Sequence, residues 1–232
     1  MSIKLSNIYK SYGKQEVLHD VSFEVHPGEI TSFVGINGAG KSTCIKIITG
    51  GIVADAGEVN IDGHNIEQDA IAAKRCMGYL PEDNPLYPEM FVKEYLAYVA
   101  QLYRLPNVNE AVDEVIEKVK LQEIAYKKIA ALSKGFRQRV GLAQAIVHQP
   151  QNIILDEPSS GLDPNQLTEF HHLIKELGKG KTILFSSHSL QEVSDLCARV
   201  IIVHRGKIVK DDSLSALTKE KSLDEMFKEL TT

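Results

Sequence analysis

A glycine-rich segment between an apolar run and a helix-forming run has the composition of a loop that binds phosphate groups. Gly35, Gly38 and Gly40 precede Lys41 and Ser42 in the pattern G-x-x-x-x-G-K-S. Glycines let backbone N–H groups turn toward phosphate oxygens, a helix beginning at Lys41 adds its positive dipole end, Lys41 adds a point charge, and Ser42 offers a hydroxyl to Mg²⁺. The alternative is a glycine-rich turn without a ligand. A dinucleotide site is disfavoured because G-x-G-x-x-G does not occur here.

We call residues 35–42 the phosphate loop. It predicts that a nucleoside triphosphate binds here and that Lys41 also serves catalysis. The expected nucleotide contacts are Gly35, Ile36, Asn37, Gly38, Ala39, Gly40, Lys41, Ser42 and Thr43.

Two carboxylates end a second apolar run. Asp156 and Glu157 directly follow residues 152–155, whose composition is typical of a buried strand. At the carboxyl end of a parallel strand beside a phosphate loop, one acid is placed to bind Mg²⁺ and the next can polarise the attacking water. Taken without the phosphate loop, the pair would equally fit a solvated strand end.

Further motifs follow in a fixed order. The segment 132–139, which we call the signature segment, reads LSKGFRQR, residues 159–163 read SSGLD, and residues 186–188 read SSH. With the phosphate loop and the acid pair, they resemble the nucleotide-binding subunits of ABC transporters over nearly the whole chain. Tyr12 stands where that family stacks an aromatic ring on adenine. Any one motif alone also fits a helix cap, an exposed aromatic or a polar strand end, so the resemblance depends on their joint order.

The resemblance implies a fold class and an assembly. The fold is an α/β P-loop NTPase core with a mostly parallel sheet, an N-terminal antiparallel β subdomain and an inserted helical lobe at about residues 83–149, all in one ABC ATPase domain over residues 1–232. The assembly is a head-to-tail dimer in which each ATP, with Mg²⁺, lies between the phosphate loop of one chain and the signature segment of the other. ATP hydrolysis then reopens the dimer.

The resemblance also implies roles for single residues. Glu157 is the general base or orients the water, His188 senses the γ-phosphate, and Asp156 is a Mg²⁺ partner. Asp163 contacts the site across the dimer. Tyr12 holds the adenine, and the nucleotide contacts that come from the signature segment are Ser133, Gly135 and Phe136.

The chain departs from the family pattern in three places. Glu82 follows residues 78–81 where the family usually has Gln, which adds a negative charge that a metal can offset. We therefore expect the metal-side residues to be Ser42, Glu82 and Asp156. In the signature segment Lys134 replaces a Gly and Phe136 a Gln, which alters the expected contacts to the ribose, whereas Ile36 for the frequent Pro is expected to be neutral.

The composition of the chain argues against some classes of partner and location. The 232 residues carry 26 Lys+Arg and 31 Asp+Glu, a net charge of -5, so no nucleic-acid partner is expected. Apolar runs are far shorter than the roughly 20 residues of a spanning helix, and the first residues lack the apolar core of a secretory signal. Three cysteines without a CxxC pair indicate reduced thiols. These features favour a cytoplasmic protein.

Apolar periodicity and turn residues predict the elements that position these motifs. We expect paired strands up to Val25 and a hairpin turn at Asp62-Gly63. Residues 83–149 are expected to be mainly helical. Asn107 and Glu110 are expected to cap a helix in that lobe. The remaining expected elements are strands at 30–34, 152–155 and 182–185, helices at 41–49 and 222–230, and a hairpin at 200–209.

A transporter subunit without a membrane span needs a separate membrane-spanning permease, which would hold it at the inner face of the membrane beside a second ATP-binding subunit. Residues 85–91 are apolar and aromatic, and they suit either a groove for a permease helix or packing within the lobe. One alternative function is an ABC ATPase that acts on nucleic acid or ribosomes. Another is a P-loop kinase or GTPase, which leaves the signature segment unexplained. His171 and His172 are expected at the surface.

Overall fold

The computed structural model of the chain describes residues 2–219 and 221–231. The strands in this part are β1 Ile3–Tyr12, β2 Gln15–Val25, β3 Ile30–Val34, β4 Ala56–Ile61, β5 His64–Asn65, β6 Met77–Leu80, β7 Asn152–Asp156, β8 Thr182–Ser187, β9 Arg199–His204 and β10 Lys207–Ser213. The helices are α1 Lys41–Ile48, α2 Ala70–Arg75, α3 Val92–Leu102, α4 Val108–Lys118, α5 Lys134–Ile146, α6 Pro164–Leu177, α7 Leu190–Leu196, α8 Leu214–Leu217 and α9 Leu223–Thr231.

The N-terminal strands form an antiparallel sheet in the order β2-β1-β4-β5. The hairpin predicted at Asp62-Gly63 joins β4 to β5, where Ile61 pairs with His64. Both turn residues have positive φ, 51° and 85°, as the tight two-residue hairpin turn requires.

The second sheet has six strands in the order β10-β9-β3-β8-β7-β6, and only β10 runs antiparallel to its neighbour. Its topology confirms the predicted fold class. Because β3, β8, β7 and β6 are adjacent and parallel, their carboxyl ends meet at one edge of the sheet. The loops that follow these four strands begin at Gly35, His188, Glu157 and Pro81.

Alternating side chains of the parallel sheet supply two cores. Helix α1 lies between the two sheets, where Ile45 and Ile48 pack with Ile154, Leu184 and Ile201. The neighbouring strand residues at 153, 155, 183, 185, 200 and 202 point to the opposite face and pack with the helices there. The period of two along each strand thus fixes both layers, and α1 is held rigidly beneath the phosphate loop.

The helical lobe is anchored to β6 through His148. The imidazole stacks on the ring of Tyr103 at 3.7 Å between centroids, and its Nε2 lies 3.0 Å from the carbonyl oxygen of Met77. Burial lowers the pKa of His148 to about 4, so the ring is neutral near pH 7. The anchor connects the lobe to the strand that leads to Glu82.

Several local expectations are wrong. Asn107 does precede α4, but its side chain donates to Glu110 at 3.0 Å instead of accepting from the helix backbone. His171 is buried at 7% exposure, because it faces α7, whereas His172 is exposed as expected. The short helices α2 and α8, of 6 and 4 residues, span too few positions to show a helical period and were not predicted. In the described ranges, no helix combines the length and apolarity needed to cross a bilayer.

Candidate functional site

The phosphate loop joins β3 to α1 and is held by backbone hydrogen bonds. Ala39 N–H donates to the carbonyl of Ile36 at 3.1 Å, and the carbonyl of Ala39 accepts from Gly206 N–H at 3.0 Å. Gly38 and Gly40 have φ of 80° and 106°, a region that other residues enter only at a cost. The turn therefore depends on glycine at both positions.

Replacement of these two glycines should destabilise the protein unequally. A Cβ on Gly40 would lie 2.7 Å from Leu18 Cδ2 and 3.0 Å from the carbonyl oxygen of Val17. A Cβ on Gly38 would have no atom within 4 Å. Gly38→Ala should cost about 1–2 kcal/mol of unfolding free energy from φ strain, and Gly40→Ala about 1–3 kcal/mol more from overpacking. Urea unfolding of both variants measures this, and equal losses would contradict the packing argument.

Lys41 places its ammonium group inside the loop. The side chain is 7% exposed, and Nζ donates to the carbonyl of Gly35 at 2.9 Å while lying 3.7 Å from Glu157 Oε1. A buried cation needs such partners to offset the loss of water. The arrangement leaves a positive group beside the turned N–H groups of the loop, which is the electrostatic requirement for binding polyphosphate.

Glu157 lies between Lys41 and His188. Its Oε2 is 2.7 Å from His188 Nδ1, and its backbone N–H donates to Ser186 Oγ at 2.9 Å. The residue has φ of 46°, so its side chain leaves the end of β7 in a direction that extended backbone does not allow. A carboxylate held in this way can accept a proton from, or orient, a water molecule next to a bound phosphate.

Asp156 lies behind Glu157 and is 2% exposed. Its Oδ1 accepts from Ser186 Oγ at 2.6 Å. Burial and the neighbouring charge of Glu157 raise the pKa of Asp156 against the opposing hydrogen bond from Ser186. Burial, with the charges of Asp156, Asp83 and Glu82, raises the pKa of Tyr79 to about 12. The β6–β7 side of the site is therefore electronegative, which favours a cation.

Many of the residues predicted from the motifs line one cavity of about 430 Å³, the phosphate cavity. Those residues are Asn37, Gly38, Gly40, Lys41, Ser42, Thr43, Glu82, Glu157 and His188. Gln15 and Val17 also line it and were missed from the sequence. The available signal was Tyr12, because Gln15 pairs with Tyr12 across the β1–β2 hairpin.

Other predicted residues lie near this cavity without lining it. Tyr12 is 51% exposed at the end of β1, with Lys10 Nζ 5.8 Å from its ring centroid. Within the loop, Ile36 is 43% exposed and Ala39 is packed in the core. A Cβ on Gly35 would clash with the carbonyl of Val203, so close packing alone accounts for this glycine.

The residues predicted from the signature segment, and Asp163, do not line the phosphate cavity. Ser133 caps α5 by accepting from Phe136 N–H at 3.4 Å, and a Cβ on Gly135 would meet Gln166 at 2.7 Å. Ser133, Gly135 and Phe136 line a different cavity, of about 320 Å³, which we call the signature cavity and which shares no lining residue with the phosphate cavity. Asp163 caps α6 by accepting from Gln166 N–H at 2.9 Å. A single chain therefore does not bring these four residues to Lys41.

The strand, glycine loop and helix, with carboxylates at the neighbouring strand end, define a P-loop nucleotide-binding protein. A family of sequences described as "ABC transporter" matches residues 18–160. The Bacillus subtilis protein described as "Uncharacterized ABC transporter ATP-binding protein YdbJ" is 38% identical over 97% of this chain and 74% of its own length. "Bacitracin transport ATP-binding protein BcrA" of Bacillus licheniformis is 36% identical over 94% and 71%.

Solved structures agree. One described as the ATP binding subunit of an ABC transporter superposes with a TM-score of 0.90 at 31% identity and covers 100% of both chains. The cassette MJ0796, described as dimeric, gives a TM-score of 0.82 at 27% identity over 91% of this chain and 98% of its own. The chain belongs to the ABC transporter family, as an ATP-binding and ATP-hydrolysing subunit. The resemblance inferred from the motifs is thereby confirmed.

Proposed function

We propose that two copies of this chain, or this chain and a homologue, hydrolyse ATP in a head-to-tail dimer and thereby drive a separate membrane-spanning permease. The observation that carries the proposal is the separation of two half-sites in one chain. Lys41, Glu157 and His188 line the phosphate cavity, while Ser133 and Gly135 line the signature cavity. Each half-site lacks what the other holds, so a second chain completes it. The dimeric state described for MJ0796 supports this arrangement.

The geometry supports a separate role for each side chain in the phosphate cavity. Lys41 binds the phosphates, since its ammonium is fixed inside the loop by the carbonyl of Gly35. Glu157 orients or deprotonates the attacking water, and His188, in contact with Glu157 at 2.7 Å, faces the γ-phosphate. Tyr12 stacks on the adenine, and Asp163 contacts the partner chain. From the partner, the helix start at Ser133 presents N–H groups to the same phosphate.

The donor set fits Mg²⁺. Ser42 and Glu82 line the phosphate cavity and Asp156 lies beside it at the end of β7, and hydroxyl and carboxylate oxygens are the ligands this hard cation takes. The described residues include no group of three or more His, Cys, Asp or Glu side chains that could hold a metal ion. When bound, Mg²⁺ would neutralise charge that develops on the phosphates.

Glu82→Gln is expected to retain ATPase activity but to raise the Mg²⁺ concentration for half-maximal rate, roughly tenfold, because one anionic ligand is lost. A Mg²⁺ titration of steady-state hydrolysis measures the shift. Asp83→Asn is the matched control, since Asp83 carries the same charge on the next residue and does not line the phosphate cavity. An unchanged Mg²⁺ titration for Glu82→Gln would show that Glu82 does not contribute to Mg²⁺ binding.

The permease contact is proposed at residues 85–91. Leu86 and Met90 pack partly buried against the core, so these two side chains fit packing within the lobe. Tyr87 and Phe91 are 46% and 44% exposed, and Tyr87 contacts the rings of Tyr95 and Tyr98. The exposed rings can receive an apolar helix. We propose accordingly that the chain acts in the cytoplasm, at the inner face of the membrane.

We also propose that residues 1–232 act as one ATPase domain and that the system exports its cargo. Similar proteins are described as acting in bacitracin transport and, in Paraburkholderia xenovorans, in "Nod factor export", the latter at 33% identity over 93% of this chain and 72% of its own length.

Co-purification tests the proposed partner. Tagged Glu157→Gln, which should bind ATP without hydrolysing it, is isolated from detergent-solubilised cells with MgATP, and bound proteins are identified by mass spectrometry. Recovery of a chain with several apolar segments of about 20 residues supports the permease. The control is Lys41→Ala, which should bind ATP poorly and therefore recover less of the membrane-spanning chain. Recovery of ribosomal proteins or nucleic acid without a membrane chain would contradict the transport function.

A further inference from the structure

A buried carboxylate is bonded to two serines close in sequence to Glu157 and His188. Glu192, in the first turn of α7, is 4% exposed. Its Oε2 accepts from Ser187 Oγ at 2.5 Å, its Oε1 accepts from Ser159 Oγ, and His171 Nε2 lies 3.4 Å from Oε1. Burial raises the pKa of Glu192, but the contact with His171 and the hydrogen bonds from Ser159 and Ser187 outweigh it and hold the pKa below its ordinary value. The group is therefore a buried anion with three partners.

The two serines belong to the loops that carry the reactive side chains. Ser159 lies two residues after Glu157 on the loop that follows β7, and Ser187 immediately precedes His188 at the end of β8. Ser187 Oγ also accepts from Ser189 N–H at 2.9 Å, which fixes the turn beyond His188. One carboxylate that does not line the phosphate cavity thus connects both loops.

Glu157 and His188 need such support. The His188 side chain is 61% exposed, so packing does not fix its position. Glu157 has a backbone conformation with φ of 46°, which must be imposed by its surroundings. Their contact of 2.7 Å therefore depends on how the two loops lie relative to each other.

We propose that Glu192 is a positioning residue for ATP hydrolysis, which holds the loops after β7 and β8 so that Glu157 and His188 meet. His171, on α6, completes the arrangement from the helix that Asp163 caps. The role rests on the proposed function of Glu157 and His188. Positioning affects the rate of the chemical step, since displacement of a reacting group by about 1 Å reduces turnover by about a hundredfold. It leaves the ATP contacts of the phosphate loop unchanged.

Steady-state hydrolysis and ATP binding by the purified chain separate positioning from general stability. Glu192→Ala should lower kcat about tenfold to a hundredfold while the Kd for ATP stays within about twofold of wild type. Glu192→Gln should lose less, because an amide still accepts from one serine and donates to the other. Gln191→Ala, an exposed change in the same helical turn, is the control and should match wild type.

A double-mutant cycle gives the sharper result. If Glu192 acts through the Glu157–His188 contact, Glu192→Ala should cost less than about twofold in kcat when His188 is already Ala. If the loss of kcat in the double variant equals the product of the two single losses, the positioning role is overturned. Should Glu192→Ala fail to fold, Ser159→Ala enters the same cycle, because it removes one hydrogen bond to Glu192. Ser187→Ala is the second choice, since it removes the other hydrogen bond to Glu192 together with the one from Ser189 N–H.

The two proposals fail differently. If the wild-type chain hydrolyses ATP and Glu192→Ala keeps the wild-type kcat, only the positioning role is overturned. If the wild-type chain hydrolyses no ATP, the function proposed for the phosphate cavity is overturned and the positioning role with it.

Discussion

Glu157→Gln is expected to reduce kcat for ATP hydrolysis by about 10²–10⁴ while leaving ATP binding close to wild type. The amide keeps the size of the carboxylate and a hydrogen bond to His188, which lies 2.7 Å away, but it cannot take a proton from water. The phosphate contacts come from the loop and Lys41, so binding survives. Steady-state turnover, together with a Kd for ATP measured by isothermal titration, checks both parts.

The matched control for this variant is Glu176→Gln. Glu176 is exposed on α6 and pairs with Lys179 at 2.7 Å, away from either cavity. It loses the same charge and should keep wild-type turnover. Wild-type turnover in Glu157→Gln would show that Glu157 is not the group that acts on water, and an equal loss in both variants would point to net charge as the cause.

Lys41→Ala is expected to weaken ATP binding by about 2–5 kcal/mol, or roughly thirtyfold to several thousandfold in Kd. The Lys41 side chain is 7% exposed, and its ammonium group is held inside the loop, 2.9 Å from the carbonyl of Gly35. Truncation removes the attraction for phosphate and leaves Glu157 without its neighbouring positive charge. Both changes oppose the binding of a polyanion. Titration with ATP and with ADP measures the loss.

Lys46→Ala provides the control. Lys46 lies on the exposed face of α1, five residues from Lys41, and it does not line the phosphate cavity. The same charge is removed from the same helix, and the Kd should change less than about threefold because exposed charges are screened. Equal losses in the two variants would show that the field of the helix as a whole, and not the position of Lys41, determines binding.

Local sequence signals predicted the phosphate loop well. The strand Ile30–Val34 has the expected bounds, and α1 begins at Lys41 as expected but ends at Ile48 and not at residue 49. A buried apolar run and a glycine-rich loop are local signals, because few residues determine each of them. The order of the parallel strands then brought Glu82, Glu157 and His188 to the same edge, as the motifs implied.

Contacts between segments that are distant in the chain could not be predicted from sequence patterns. Nothing in the residues around His171 indicates that it faces Glu192, twenty-one positions away on another helix, because helical periodicity specifies a face but not the neighbour that covers it. Gln15 and Val17 line the phosphate cavity because β2 crosses it, not because of their own type. The separation of the phosphate and signature cavities likewise depends on the whole fold.

That separation leads to the claim that ATP joins two chains, and the mass of Glu157→Gln in solution tests it most directly. The variant is analysed by size-exclusion chromatography with light scattering in the presence of MgATP, MgADP or no nucleotide. We predict the mass of two chains with MgATP and of one chain of 25.7 kDa in the other two conditions. A single chain at saturating MgATP, with ATP shown to be bound, would contradict a site shared between two copies of this chain.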